Sequence, residues 1–318
     1  MREAEQSIER NTLSLVIPVF NNAQSLPSLF ERLESLEDSL LSLGIAVELI
    51  FVDDGSTDES LHLMQIFQKI KPSIKLIKLI RNTGAIHASR AGVKLVSGDV
   101  FMVLAADLQD PPELLVKMCQ EWMAGSKFVI CVRTSRRDPI FSKIFSRIGQ
   151  FLIRRMVFPN YPKGGFDMAL VDRSFLNTIN SGPGYGSVPL QIFSLGVPPS
   201  VLTYSREERK GGVSGWTFSK KFEYLLDLIF GYSKKPLRLM SAFGLTVSLL
   251  SFSFGILILF SALTQNIPVP GFATLALLMS YLVGVQLLMV GIIGEYVWRI
   301  YQQVIRQPTS VIEEEFTA

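Results

Sequence analysis

The sequence predicts an α/β fold, a mixed and mostly parallel sheet covered by helices on both faces, followed by apolar helices that enter a membrane. Three observations carry this reading. Apolar runs at Leu13–Phe20, Val47–Val52, Ile74–Ile80 and Phe101–Leu104 alternate with stretches of helical period, as in parallel strands joined by crossover helices. Polar residues gather directly after each run: Asn21 and Asn22, Asp53 and Asp54, Arg81 and Asn82, Asp107 and Gln109. Finally, Leu239–Gly294 contains no Asp, Glu, Lys or Arg, and the 48% hydrophobic content is high for a soluble chain.

In chain order, the first strand leaves through an Asn21-Asn22 turn, and Ser25 is placed to N-cap a helix with Leu26, Leu29, Phe30, Leu33, Leu36 and Leu40 on one face. The second strand closes on Asp53-Asp54-Gly55-Ser56-Thr57-Asp58, where Thr57 or Asp58 can cap the next helix. The third ends in Arg81-Asn82-Thr83-Gly84 before a helix that reaches about Val96, and the fourth runs into Ala105-Ala106-Asp107-Leu108-Gln109-Asp110-Pro111-Pro112-Glu113. There the proline pair stops the strand and opens a helix. A fifth strand is expected at Phe128–Val132, with Arg133 just after it, and a short one at Phe166–Asp172. Val201–Arg206 reads as an edge strand entering a glycine-rich loop whose Arg206, Arg209, Lys210 and Ser214 have phosphate-binding chemistry.

Two amphipathic helices flank these elements. Ile140–Phe158 combines an apolar face with Lys143, Arg147, Arg154 and Arg155, the pattern of a helix lying in a membrane interface, although a helix packed on the sheet has the same period. A second covers about 218–232, and Lys234, Lys235 and Arg238 stand before the apolar region. That region divides into spans at about 239–263 and 272–293. Their connecting loop has no basic residue, whereas Arg299 and Arg306 follow the pair, so both ends are expected in the cytosol. The expected domains are therefore a cytosolic 1–233, a transmembrane hairpin within 234–298 and a cytosolic 299–318. Small residues in the spans suit helix packing between copies, and the Glu313–Glu315 tail is expected to be a solvated, disordered end.

Strand-to-helix connections of a parallel sheet face one edge, so the four polar clusters should meet in one crevice. Carboxylates there, Asp107 first among them, suit a hard cation such as Mg²⁺ or Mn²⁺ carrying a diphosphate; a solvated strand end before a proline-capped helix is the alternative. Several classes are disfavoured. The net charge of +3 brings no basic, aromatic-interleaved module for nucleic acid. There is neither a Gly-x-Gly-x-x-Gly after the first strand nor a phosphate loop ending in Gly-Lys-Ser/Thr. Cys119 and Cys131 are expected as buried thiols, His87 as a packed or solvated side chain, and Met1–Thr12 is too polar for a signal peptide.

Taken together, Val16-Ile-Pro-Val-Phe-Asn21, Val52-Asp-Asp-Gly-Ser-Thr-Asp58, Arg81-Asn-Thr-Gly84 and Ala106-Asp-Leu-Gln-Asp-Pro-Pro-Glu113 resemble the inverting family 2 glycosyltransferases of GT-A fold. Their order is similar to that of the polyprenyl-phosphate glycosyltransferases, including dolichyl-phosphate mannose synthase and the bactoprenol glucosyltransferases. The resemblance implies transfer of a hexose, glucose from UDP-glucose as first choice, to undecaprenyl phosphate at the cytosolic face of the plasma membrane by a multi-pass homo-oligomer. It implies nucleotide contacts at Pro18, Asn21 and Asp53 with Asp54 and Arg81 supporting, Mg²⁺ or Mn²⁺ at Asp107 and Gln109, and acceptor phosphate at Arg133, Arg206, Arg209 and Ser214. Asp167 lies where the family has an acidic residue, which implies a catalytic role at the acceptor. The family's metal motif is usually Asp-x-Asp, and here Ala105 takes the first position, while Asn22 stands where an acidic residue is common. A membrane-anchored, non-catalytic scaffold that binds nucleotide sugars is the alternative these departures raise.

Overall fold

The computed structural model describes residues 11–107, 113–133, 147–162, 165–166, 168–182, 186–204, 218–264, 271–305 and 310–316. They divide into two compact units: 1–151, 160–217 and 308–318 make the first, and 152–159 with 218–307 the second.

Among the described residues the first unit holds an eight-stranded sheet whose strands, numbered in chain order, stand as β7-β5-β6-β4-β1-β2-β3-β8. β1 (Asn11–Val19), β2 (Ile45–Asp53), β3 (Lys75–Leu79) and β4 (Val100–Val103) form a parallel core. β6 (Met168–Asp172) runs antiparallel between β4 and β5 (Phe128–Arg133), and β7 (Ser200–Tyr204), reached through the short helices α6 (Leu176–Ser181) and α7 (Val188–Ser194), lies parallel to β5 at one edge. The predicted strands are thus all present, and the sheet is mixed, as expected.

Strand alternation sorts the core between two faces. Leu13, Leu15, Ile17 and Val19 of β1 join one buried cluster with Leu26, Leu29, Leu33, Leu36 and Leu40 of α1 (Leu26–Leu41), Met64 and Phe67 of α2 (Ser60–Ile70), and Leu115 and Met118 of α4 (Glu113–Met123). On that face Phe30 stacks on Phe67 at 4.0 Å between centroids and meets Phe51 edge-on. The opposite face takes α3 (Ala85–Val93), which approaches so closely that a Cβ on Gly92 would lie 2.5 Å from Val16 Cγ1 and 2.8 Å from Val52 Cγ2. Burying β1 and β2 on both faces explains why they read as unbroken apolar runs.

The amino end of the sheet is held by Glu48, which accepts hydrogen bonds from Ser14 Oγ (2.5 Å) and from Ser97 N (3.0 Å) and Oγ (2.5 Å) and pairs with Lys75 at 2.6 Å. Burial raises this carboxyl, but the bonds from Lys75, Ser14 and Ser97 outweigh it and hold it below its ordinary value.

One expectation fails here. The tail is exposed but not disordered: Ile312–Phe316 forms β8, antiparallel to β3, with Glu313–Glu315 facing water and Phe316 packed against the main core. Cys119 and Cys131 are buried free thiols, as expected, and burial pushes Cys119 up to about 12.

The helix α5 over 147–152 ends the first unit's stretch of chain and leads into a π turn, Ile153–Val157, which in the second unit is packed by α8 (Phe218–Tyr232). Phe158 meets Tyr232 at 5.5 Å, and Ser233 Oγ donates to Met156 O at 2.5 Å. The last part of the predicted basic helix therefore joins α8, and its first part lies outside the described residues. α9 (Lys235–Thr264) and α10 (Phe272–Ile305) follow. Among the described residues one stretch, Tyr281–Tyr301, is long and apolar enough to cross a membrane, where the sequence predicts two. It extends past the expected span and carries Arg299, buried between Asp227 of α8 (2.9 Å) and Glu295 (2.8 Å).

Candidate active site

The sheet order fixes where a ligand can bind. The chain runs β1, β2, β3 in one direction and then returns to place β4 on the other side of β1. Open sheets of this kind bind ligands beyond the carboxyl ends of the strands at such a reversal. The ends that meet there carry Asn21 after β1 and Asp107 after β4, with Asp53 and Arg81 on the neighbouring strands.

Four loops are tied into one floor by side chains bonding backbone across long sequence gaps. The Asp54 amide donates to Val19 O at 2.8 Å, joining β2 to β1. Asn21, in the left-handed region at φ 50°, accepts from Thr57 N at 2.9 Å and donates its own amide to Ser56 Oγ at 3.2 Å. Asn22 N donates to Ser60 Oγ (2.8 Å) and Ala23 N to Asp58 Oδ2 (3.1 Å), so the turn after β1 is bolted to the one after β2. Asp58 also accepts from Ser60 N at 3.0 Å, in keeping with its expected turn role. The N-cap position of α2 is Glu59, however, not Thr57 or Asp58, and no side chain makes the cap bond there. Ser25 precedes α1 but its side chain makes no cap; its hydroxyl donates instead to Ala106 O at 3.0 Å, joining the β1 loop to the β4 loop.

The adjacent aspartates have separate tasks. Asp54, only 2% exposed, accepts from Thr83 N (2.7 Å) and Oγ1 (2.9 Å) through one oxygen and from Gly84 N (2.9 Å) through the other. It is a clamp on the loop after β3. Asp53 has no exposed surface and is bonded to Ser56 N at 3.3 Å. Burial raises its carboxyl above the ordinary value, against the lowering effect of Ser56 and the Lys78 ammonium.

The loops after β2 and β3 touch at Gly55. Its φ is +71°, and a Cβ there would lie 2.8 Å from Arg81 C and Asn82 N. No side chain fits, which is why the acidic turn carries glycine at this point.

Pro18 sits half-buried near the end of β1, and Asn21 and Arg81 are exposed at the crevice. Asp107 lies half-buried after β4. Arg133 ends β5 opposite Tyr204 of β7, with only its backbone among the described parts of the chain. Gln109, Asp167, Arg206, Arg209 and Ser214 lie outside the described residues. The described residues hold no group of three or more His, Cys, Asp or Glu side chains able to bind a metal by themselves. Sequence reasoning missed Gly55, although a glycine after paired aspartates signals a positive φ; His87 is partly buried on α3, as expected of a packed side chain. Among the described residues the buried Nδ1 of His87 has no hydrogen-bond partner, and burial with the nearby Arg90 holds the imidazole below its ordinary pKa.

This arrangement has known counterparts. The family model described as glycosyl transferase family 2 matches residues 14–179, from β1 through β6. The chain belongs to glycosyltransferase family 2. An uncharacterized glycosyltransferase of Synechocystis is 33% identical over 95% of each chain. The SfII prophage-derived bactoprenol glucosyl transferase of Shigella flexneri is 29% identical over 95% of this chain and 97% of its own. An undecaprenyl-phosphate 4-deoxy-4-formamido-L-arabinose transferase of Klebsiella pneumoniae is 30% identical over 95% of this chain and 96% of its own. The family 2 glycosyltransferase is thus similar to these relatives across both of its units, the α9 and α10 region included.

Proposed function

We propose that this family 2 enzyme has the GT-A fold and transfers a hexose, glucose from UDP-glucose first, to the phosphate of a polyprenol such as undecaprenyl phosphate, with inversion. The observation that carries the reading is a crevice of carboxylates at the sheet reversal, in a chain similar from end to end to a bactoprenol glucosyl transferase. The relative acting with a formamido-arabinose shares the acceptor but not the sugar, so likeness supports the lipid phosphate more strongly than the glucose.

In this reading Asp53 accepts from the nucleobase, with Pro18 and Asn21 lining the same end, while Asp54 and Arg81 hold the loop that closes it. Asp107 with Gln109 holds a divalent cation, Mg²⁺ or Mn²⁺. The oxygen ligands that Asp107 and Gln109 would supply suit such a hard cation. When bound, the cation neutralises charge developing on the leaving diphosphate. An acceptor phosphate oxygen attacks the anomeric carbon as the bond to UDP breaks and UDP leaves with the electron pair. That phosphate is already anionic at neutral pH, so no strong base is required; Arg133, Arg206, Arg209 and Ser214 orient it, with Asp167 beside it.

For the membrane arrangement, α9 and α10 form a two-helix hairpin, and copies of the chain pack through it. The support is topological as well as compositional. Residues before α9 and the strand after α10 belong to one sheet, so the chain between them crosses an even number of times. With Lys234, Lys235 and Arg238 ahead of the hairpin, that sheet lies on the cytosolic side.

Asp107→Asn in full-length protein tests the site. Sugar transfer should fall by more than a hundredfold while UDP binding without metal changes little; turnover within a few fold of the unsubstituted enzyme would contradict the assignment.

A further inference from the structure

Beyond the reaction itself, β8 sits against the nucleotide end of the sheet. Its register places Lys78 of β3 beside Asp53 of β2 on one side and beside Glu314 on the other. Lys78 Nζ pairs with Glu313 at 2.8 Å. The Ile80 amide, one residue before Arg81, donates to Val311 O at 3.2 Å. At the far end Gln68 Nε2 donates to Phe316 O and to Ile74 O, both at 2.9 Å, so the helix before β3 and the tail share one anchor. β3 leads directly into the loop whose Thr83 and Gly84 are clamped by Asp54.

We propose that the C-terminal strand is a positioning element of the donor site: docked on β3 it fixes the Arg81–Gly84 loop and holds Lys78 beside Asp53, so tail docking and UDP binding favour one another. The inference rests on the donor class proposed above. Without β8, β3 is an edge strand whose last residues have no second neighbour, and loops at such edges open most easily. Lys78 would also exchange its Glu313 partner for solvent. A coupling between two sites is reciprocal, so a bound nucleotide must hold the tail in place as strongly as the tail supports the nucleotide.

The reciprocal effect can be read in the unmodified full-length protein by hydrogen exchange. Saturating UDP should slow exchange of the 312–316 amides about tenfold, within the usual range of such couplings. Ending the chain after Gln307 should weaken UDP binding by a similar factor in calorimetry and speed exchange at Thr83 and Gly84. Tail exchange unmoved by bound UDP overturns the proposal, as does a folded, shortened chain that binds UDP within twofold of the intact one. If the intact chain fails to bind UDP, the donor reading falls. The role of the tail then stands if Thr83 and Gly84 exchange faster in the shortened chain and falls if they do not.

Discussion

Substituting Gly55 by Ala isolates the contact on which the donor crevice depends. The added Cβ meets backbone atoms of Arg81 and Asn82 at 2.8 Å, where no side-chain rotation can relieve it, and the residue keeps a φ of +71°. A left-handed conformation costs an L residue roughly 1–2 kcal/mol, and forcing extra volume into a packed site typically adds about 1–3 kcal/mol. The sum is about 2–5 kcal/mol, which at roughly 2–4 °C per kcal/mol for a domain of this size lowers Tm by about 4–20 °C. Gly44 supplies the control. It has nearly the same φ, +77°, with nothing within 4 Å of the point a Cβ would occupy, so Gly44→Ala carries the conformational cost alone. Both variants would be compared by differential scanning fluorimetry and UDP calorimetry in the same detergent. Gly55→Ala should lose far more stability than Gly44→Ala and should also bind UDP weakly, because the Arg81 loop is displaced. Equal losses in the two variants, or undiminished UDP binding by Gly55→Ala, would refute the close-approach reasoning.

Three further outcomes follow from the same geometry. Asp53→Asn should cost UDP affinity tenfold or more while leaving Tm unchanged or slightly raised. Burial lifts the Asp53 carboxyl, so its contribution to stability is present at low pH and lost as pH rises through the raised folded value; a neutral amide removes that cost. A clear fall in Tm at neutral pH would contradict this. Asp54→Ala should destabilise the first unit by about 2–4 kcal/mol, since buried donors at Thr83 and Gly84 lose a charged acceptor, and chemical denaturation can measure it. For Glu48 the sign is opposite to that of Asp53. Its folded pKa is lowered, so its contribution is complete above the ordinary value of 4.5 and is lost as pH falls through the folded one. Glu48→Gln should therefore flatten the acid limb of a Tm against pH curve, and an unchanged acid limb would count against the network.

The parallel core was legible because β1 and β2 are buried on both faces and so carry continuous apolar runs, while α1 shows its buried leucines at helical spacing. The turn residues at the strand ends were legible for the same reason: polar side chains directly after a buried strand have few places to go. What stayed hidden is the division of labour among them. Asp53 and Asp54 are adjacent and chemically alike, and only the distant partner loop around Thr83 separates the Asp54 clamp from Asp53, which bonds its own turn at Ser56. Ser25 carries a capping signature, yet its hydroxyl is drawn to Ala106 O, 81 residues away. β8 escaped because an edge strand with Glu313, Glu314 and Glu315 facing water has the composition of a solvated tail; only Ile312 and Phe316 at its ends are apolar. The second span was read from composition, whereas Tyr281–Tyr301 continues past it by pairing Arg299 with Asp227 and Glu295, a compensation that hydropathy does not register.

The most direct test of the central claim uses full-length enzyme in membranes, supplied in turn with a panel of nucleotide sugars, undecaprenyl phosphate and Mg²⁺ or Mn²⁺, with the lipid fraction read by mass spectrometry. The account predicts a polyprenyl phosphate carrying one sugar, formed from a UDP-hexose, dependent on the divalent cation and lost in Asp107→Asn. Release of free sugar or UDP without a lipid-linked product across the whole panel would contradict it.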